Sequence, residues 1–154
     1  MSSKIEDFLA QQHIAVAGVS RNPGGSAANL IYRKLRDSGR RVAAINPAAA
    51  QVEGDPSYPD LKSVPGRIDA VMIVTTPQAC EGIVRQCMDL GVRRVWMHRS
   101  FGAGSVSRAA VRYCEENGIS VIAGGCPMMF CEPVDFGHKC MRWLLRWTGG
   151  LPQG

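Results

Sequence analysis

The stretch from His13 to Ser26 limits what this chain can fold into more than any other. It opens on an apolar run of strand length, Ile14-Ala15-Val16-Ala17. It then breaks into a loop, Gly18 to Ser26, rich in Gly, Ser, Asn and Pro. Beyond the loop, Ala27, Ala28, Leu30, Ile31 and Leu35 recur at roughly helical spacing, ending near Ser38-Gly39. Strand, Gly-rich loop and helix form the opening unit of a nucleotide-binding α/β fold. The physics is direct: free backbone N–H groups at a helix N-terminus attract phosphate, and glycine lets the phosphate approach the chain.

The loop departs from the dinucleotide fingerprint, which needs glycine at its first, third and sixth positions. Here Gly18 is followed by Val19 and Ser20, and the next glycines are Gly24 and Gly25. The signal is therefore a phosphate loop without a commitment to NAD. An ordinary strand-to-helix turn would use the same residues for backbone conformation alone.

The rest of the chain repeats the alternation. Met1 to Gln12 reads as a short helix capped by Ser2 or Ser3, with Ile5, Phe8 and Leu9 on one face. Arg41–Ile45 is a second strand, ended by Asn46-Pro47, because proline cannot continue a central ladder. Residues 48–66 read as loop, with one helical turn over Asp60–Val64. Ile68–Val74 is near-continuously apolar, as a central parallel strand should be. Thr76 is placed to cap the helix that starts at Pro77 and closes at Gly91. A fourth strand, residues 93–97, leads to His98. A helix near Ser105–Asn117 and a fifth strand, residues 119–122, follow. The last element, Val134 to Trp147, reads as a helix with Phe136, Cys140, Trp143, Leu144 and Trp147 on one side. Together these predict one Rossmann-like α/β domain over residues 1–147. Its core is a doubly wound parallel five-stranded sheet of order 3-2-1-4-5 with flanking helices, followed by a flexible tail over 148–154.

Composition narrows the partners. The chain has 154 residues and a net charge of +5, from 18 Lys and Arg against 13 Asp and Glu. No block of five like charges occurs and aromatics are only 6%. Both features argue against a nucleic-acid platform and leave a small phosphorylated ligand as the natural reader of the charge. The N-terminus lacks a signal-peptide core and no apolar run reaches bilayer length, so no membrane is expected and the default location is cytoplasmic. Without a secretory signal, disulfides are not expected either. Cys80, Cys87 and Cys114 fall in helical patterns as small apolar residues. Cys126, Cys131, His138 and Cys140 cluster in sequence, but their spacing matches no zinc knuckle, and no metal is expected.

In parallel sheets the ligand crevice lies beyond the strand carboxyl ends. Four of those ends carry distinctive residues: Gly18-Val19-Ser20, Asn46-Pro47, Thr75-Thr76-Pro77, and His98. NAD-binding folds place an acid at the end of the second strand to hold the ribose hydroxyls. Here that position is the neutral Asn46.

Several motifs in order resemble the stand-alone CoA-binding domain family, which is similar to the CoA-binding N-terminal domain of the succinyl-CoA synthetase α-subunit. They are Ala17-Gly18-Val19-Ser20, Ile45-Asn46-Pro47, the third strand's end before Pro77, and Gly125-Cys126-Pro127. The likeness covers about residues 10 to 140. It implies a CoA or acyl-CoA ligand. Gly18, Val19 and Ser20 would meet its phosphates through backbone N–H groups, with the helix beginning near Ser26 beneath them. Arg21 would pair with the 3′-phosphate or the diphosphate, since its fork suits phosphate oxygens. Asn46 and Pro47 would border the adenine or ribose. Val74, Thr75 and Thr76 would line the opposite wall beside Pro77, and His98 would lie near the pantetheine path. The synthetase carries its phosphorylated histidine in a second domain, which this chain has no room for, so that machinery does not carry over. No Ser/His/Asp order, paired carboxylates or HExxH motif stands in its place.

The reading is a non-catalytic CoA-binding protein. Two rival classes remain. An NAD(P)-binding oxidoreductase or redox-sensing protein would call for an acid at position 46. A protein-interaction module would expose Trp143 and Trp147, and the same helix offers a surface for a homodimer.

Overall fold

The computed structural model describes residues 3–22, 26–100 and 104–131, with helical positions at 138, 139, 142, 144 and 146. The expectations for Ser2, Phe136, Cys140, Trp143, Trp147 and the 148–154 tail, and for the Ser3 side chain, fall outside the described residues. The elements run α1 (Ser3–Leu9), β1 (His13–Ala17), α2 (Ala27–Asp37), β2 (Arg41–Ile45), β3 (Gln51–Val52), β4 (Asp55–Tyr58), a 3-10 turn over Leu61–Ser63, β5 (Ala70–Ile73), α3 (Pro77–Leu90), β6 (Arg94–Met97), α4 (Arg108–Glu116), β7 (Ser120–Ala123) and a second 3-10 turn over Pro127–Met129.

The α/β class and the flanking helices are as expected, but the sheet has seven strands, in the order β3-β4-β2-β1-β5-β6-β7. All pairings are parallel except β3 with β4. The predicted five-stranded sheet and its 3-2-1-4-5 order both need correction. The third apolar run, β5, does not sit outside β2; it lies beside β1, with Ile14 opposite Ala70 and Ala17 opposite Ile73. Its residues 70–73 are completely buried, which demands a strand on each side and a helix on each face.

The place beside β2 belongs to β4, in a stretch expected to be loop. β4 meets β2 through only two residue pairs, Ala44 with Ser57 and Ile45 with Tyr58. It contains Pro56, which cannot donate to a ladder; the Ser57 N–H donates to the Ala50 carbonyl on the β3 side, and the pairing with β2 begins only at Ser57, one residue past the proline.

Side-chain alternation divides the core between the two faces of the sheet. Ile14, Val16, Met72, Trp96 and Ile122 join Ile5 and Phe8 of α1 and Ile31, Tyr32 and Leu35 of α2. Ala15, Ala17, Val71, Ile73, Val95 and Val121 join Cys80, Val84 and Cys87 of α3 and Ala110 and Cys114 of α4. These three cysteines pack as the small apolar residues the sequence suggests. Trp96 anchors its face through an edge-on contact with Phe8, ring centres 5.4 Å apart, and by donating from Nε1 to the Gly124 carbonyl at 2.9 Å. Among the described residues, no helix is long and apolar enough to cross a membrane.

Candidate functional site

β1 ends in a forced turn. Gly18 has φ +101°, and a Cβ there would overlap the Val74 carbonyl oxygen, with the carbonyl carbon at 2.8 Å. Only glycine fits, because β5 passes this close to β1. The Gly18 N–H donates to the Ile45 carbonyl at 3.2 Å, tying the turn to the end of β2. Val19 is fully buried in the α2 side of the core.

Asn46 closes the end of β2. Its Nδ2 donates to the Val19 carbonyl at 2.9 Å, and its Oδ1 accepts the Ala48 N–H at 2.8 Å. Both ends of the amide thus serve the protein's own turns. Ser20 is held in the same way. Its N–H donates to Asn29 Oδ1, and its carbonyl accepts from Asn29 Nδ2, both at 2.8 Å. Two of the three amide donors expected to meet phosphate, those of Gly18 and Ser20, are therefore engaged within the chain. Arg21 is exposed and donates from Nη1 to the Ala48 carbonyl at 3.2 Å, bridging the β1 turn and the loop after β2. Ser26 stands at the N-cap of α2 and Thr76 at that of α3, neither with a side-chain capping bond, and Pro77 opens α3.

Between these loops lies a cleft of about 470 Å³, a size ordinary for small-molecule sites. Of the residues expected at the site, it brings together Gly18, Ser20, Asn46, Pro47 and Thr75. Val19, Arg21, Ser26, Val74, Thr76, Pro77 and His98 are not among its lining residues.

Its remaining wall was not expected from sequence. It consists of Pro59, Asp60 and Leu61 after β4, with Ala79, Ile83 and Gln86 of α3. The signal that would have found Ala79, Ile83 and Gln86 is their helical spacing after Pro77; Pro59 to Leu61 depend on the unrecognised β4. Asp60 Oδ1 accepts from the Ser63 hydroxyl at 2.8 Å and the Ser63 N–H at 2.9 Å. The hydroxyl foremost, then the N–H, hold its carboxyl below the usual range. Gln86 Oε1 accepts the Leu61 N–H at 3.0 Å, which fixes the amide.

His98 sits farther along the sheet edge. Its N–H donates to the Ile73 carbonyl, and its own carbonyl accepts the Ser105 N–H at 2.7 Å. Ser105 Oγ in turn donates to the Thr75 carbonyl at 2.6 Å, linking His98 to the cleft wall. The imidazole is nine-tenths buried, with Nε2 3.2 Å from Ser100 Oγ. Burial foremost, and then the charge of His138, push it down to about 4, so it is neutral at pH 7. Among the described residues, no three His, Cys, Asp or Glu side chains converge as a metal site would require.

The family described as a CoA binding domain matches residues 12–132. The uncharacterized protein YneT of Bacillus subtilis is 23% identical over 125 residues, 80% of this chain and 89% of that one. The ADP-forming acetate–CoA ligase I of Archaeoglobus fulgidus is 24% identical over 79% of this chain, which spans only 18% of the ligase. Among solved structures, a hypothetical protein from Pyrococcus horikoshii superposes with a TM-score of 0.77 at 26% identity, covering 84% of this chain and 89% of that one. The dinucleotide-forming acetyl-coenzyme A synthetase 1 of Ca. Korarchaeum cryptofilum gives 0.66 at 26% identity, over 78% of this chain and 27% of the synthetase. With 121 consecutive residues matched, and the strand ends and turns of the matched region forming one cleft, this chain belongs to the CoA-binding domain family.

Proposed function

We propose that the chain binds CoA or an acyl-CoA at the carboxyl edge of its sheet and acts as a binding module without chemistry of its own. The observation that carries this reading is the cleft of about 470 Å³ between the β1–α2 turn, the ends of β2 and β4, and α3, in a member of this family. The adenosine end lies against Ile45, Pro47, Leu61 and Ile83, an apolar wall suited to a purine face. The phosphates lie at the N-terminus of α2, where the first helical N–H groups have no partner within the helix, with Arg21 beside them. Gly18 and Ser20 contribute the shape of the turn, since their N–H groups are engaged. Val74, Thr75 and Thr76 border the path towards His98. Among the described lining residues Asp60 is the sole ionisable group, which supports binding over acid–base catalysis.

Calorimetry with CoA, dephospho-CoA, NAD and ATP tests the reading. CoA binding, with dephospho-CoA about tenfold weaker, fits a cationic 3′-phosphate contact. NAD belongs in the panel because Asp60 offers a carboxylate in the cleft that Asn46 does not. NAD binding without CoA binding would overturn the proposal.

A further inference from the structure

Asn29 is completely buried in the first turn of α2, and its amide makes three hydrogen bonds. Two go to Ser20, closing the β1–α2 turn as a paired strand would. The third runs from Nδ2 to Glu53 Oε1 at 2.7 Å. This set fixes the amide's orientation, because Nδ2 faces two acceptors and Oδ1 faces a donor.

Glu53 stands at the tip of the β3–β4 hairpin, between the paired residues Val52 and Asp55. Its φ is +51° and that of Gly54 is +78°, the pattern of a two-residue turn that favours Asn or Gly, not Glu, at its first position. The glutamate's reach explains its presence. Its side chain is 11% exposed and also accepts from Arg33 Nη1 at 2.8 Å. Arg36 Nη1 donates to the Glu53 carbonyl at 2.9 Å and to Asp55 Oδ2 at 2.8 Å, and the Tyr32 hydroxyl donates to the same oxygen at 2.7 Å. Residues 29, 32, 33 and 36 form one face of α2, so the hairpin is bolted along it.

We propose that Glu53 and Asn29 are positioning residues: the hairpin tip, through the Asn29 amide, holds the Gly18–Ser20 turn in the shape that exposes the N-terminus of α2 to the ligand's phosphates. This rests on the CoA reading above. Arg33 balances the carboxylate's charge, which would otherwise oppose an anion one helical turn away. With both the N–H and carbonyl of Ser20 saturated, the turn cannot swing across the helix end.

The test combines calorimetry with CoA and amide hydrogen exchange at Ser20 in the wild type, Glu53→Asn and Glu53→Gln. Asparagine suits the turn but is too short to reach Asn29; glutamine keeps a carbonyl acceptor at full length. Glu53→Asn should keep its thermal midpoint within about 3 °C. It should lose about tenfold in both Ser20 protection and CoA affinity, 1.4 kcal/mol in binding. Glu53→Gln should restore both to within about threefold of wild type, a rescue that general destabilisation would not give. If Glu53→Asn does not fold, Glu53→Gly, which relieves the positive φ, takes its place. Unchanged protection and affinity in the short variant, or equal losses in both variants, would overturn the clamp. If the wild type binds no CoA, the CoA reading fails and Ser20 exchange alone decides the clamp.

Discussion

Gly18 and Val74 are 56 positions apart in sequence, yet the Val74 carbonyl fills the space where a side chain on Gly18 would begin. This contact sets how closely β1 and β5 approach at the carboxyl edge, and so where the floor of the cleft lies.

Gly18→Ala should therefore be costly for two reasons, the positive φ and the clash with backbone that cannot rotate away. A loss of roughly 3 kcal/mol is expected, a drop of about 6–12 °C in thermal midpoint. Gly39→Ala is the matched control. Gly39 also has a positive φ, but nothing lies within 4 Å of its would-be Cβ, so it should lose only about 1–2 kcal/mol. Equal losses in the two variants would show that φ alone matters at Gly18.

Arg21 is exposed, follows the cleft-lining Ser20 in the chain, and donates to the Ala48 carbonyl. Arg21→Ala should weaken CoA by about tenfold while barely changing dephospho-CoA, the signature of a 3′-phosphate contact. Equal losses for both ligands would move Arg21 to the diphosphate. No loss would leave it a solvated surface residue.

His98 should make stability depend on pH. Its folded value of about 4 lies below the unfolded value of ~6.5, so between these limits the unfolded chain binds more protons. Stability should then be complete above about pH 6.5 and fall with acidification through about pH 4, by at most ~3 kcal/mol. Asp55, whose carboxyl Arg36 and then Tyr32 hold below its usual range, adds its loss only at lower pH still. Urea midpoints measured from pH 7.5 to 4 should flatten in His98→Gln. The same slope in wild type and variant would assign the dependence to other groups.

The thiols of Cys80, Cys87 and Cys114 should be inert in the folded protein. All three are fully buried between the sheet and its two helices, and burial pushes the Cys87 thiol up to about 12 and that of Cys114 to about 11. Iodoacetamide at pH 8, followed by peptide mass mapping, should leave them unmodified until denaturant is added. Labelling of any of the three in native buffer would show that this face opens.

The alternation of strands and helices is legible in the amino-acid order, because it is written in local terms. Ile14–Ala17 and Ala70–Ile73 are uninterrupted apolar runs, Pro77 and Gly91 bracket α3, and Gly18 marks a backbone turn. The sequence also brought Gly18, Ser20, Asn46, Pro47 and Thr75 together, since in a parallel sheet all strand ends share one edge. It could not reveal β4. A strand joined to β2 by two residue pairs, polar and containing Pro56, carries no hydrophobic period to read. With β4 hidden, the place of β5 beside β1 was hidden too, along with Asp60 and the far wall of the cleft. Nothing in the helical spacing of Ala27, Ala28, Leu30, Ile31 and Leu35 marks Asn29. Its meaning depends on Ser20 and Glu53 arriving from two other segments, and only the closing of the sheet brings those groups within 2.8 Å of its amide. Periodicity records which face a residue turns to the core, whereas a hydrogen bond between distant segments depends on where whole strands are laid.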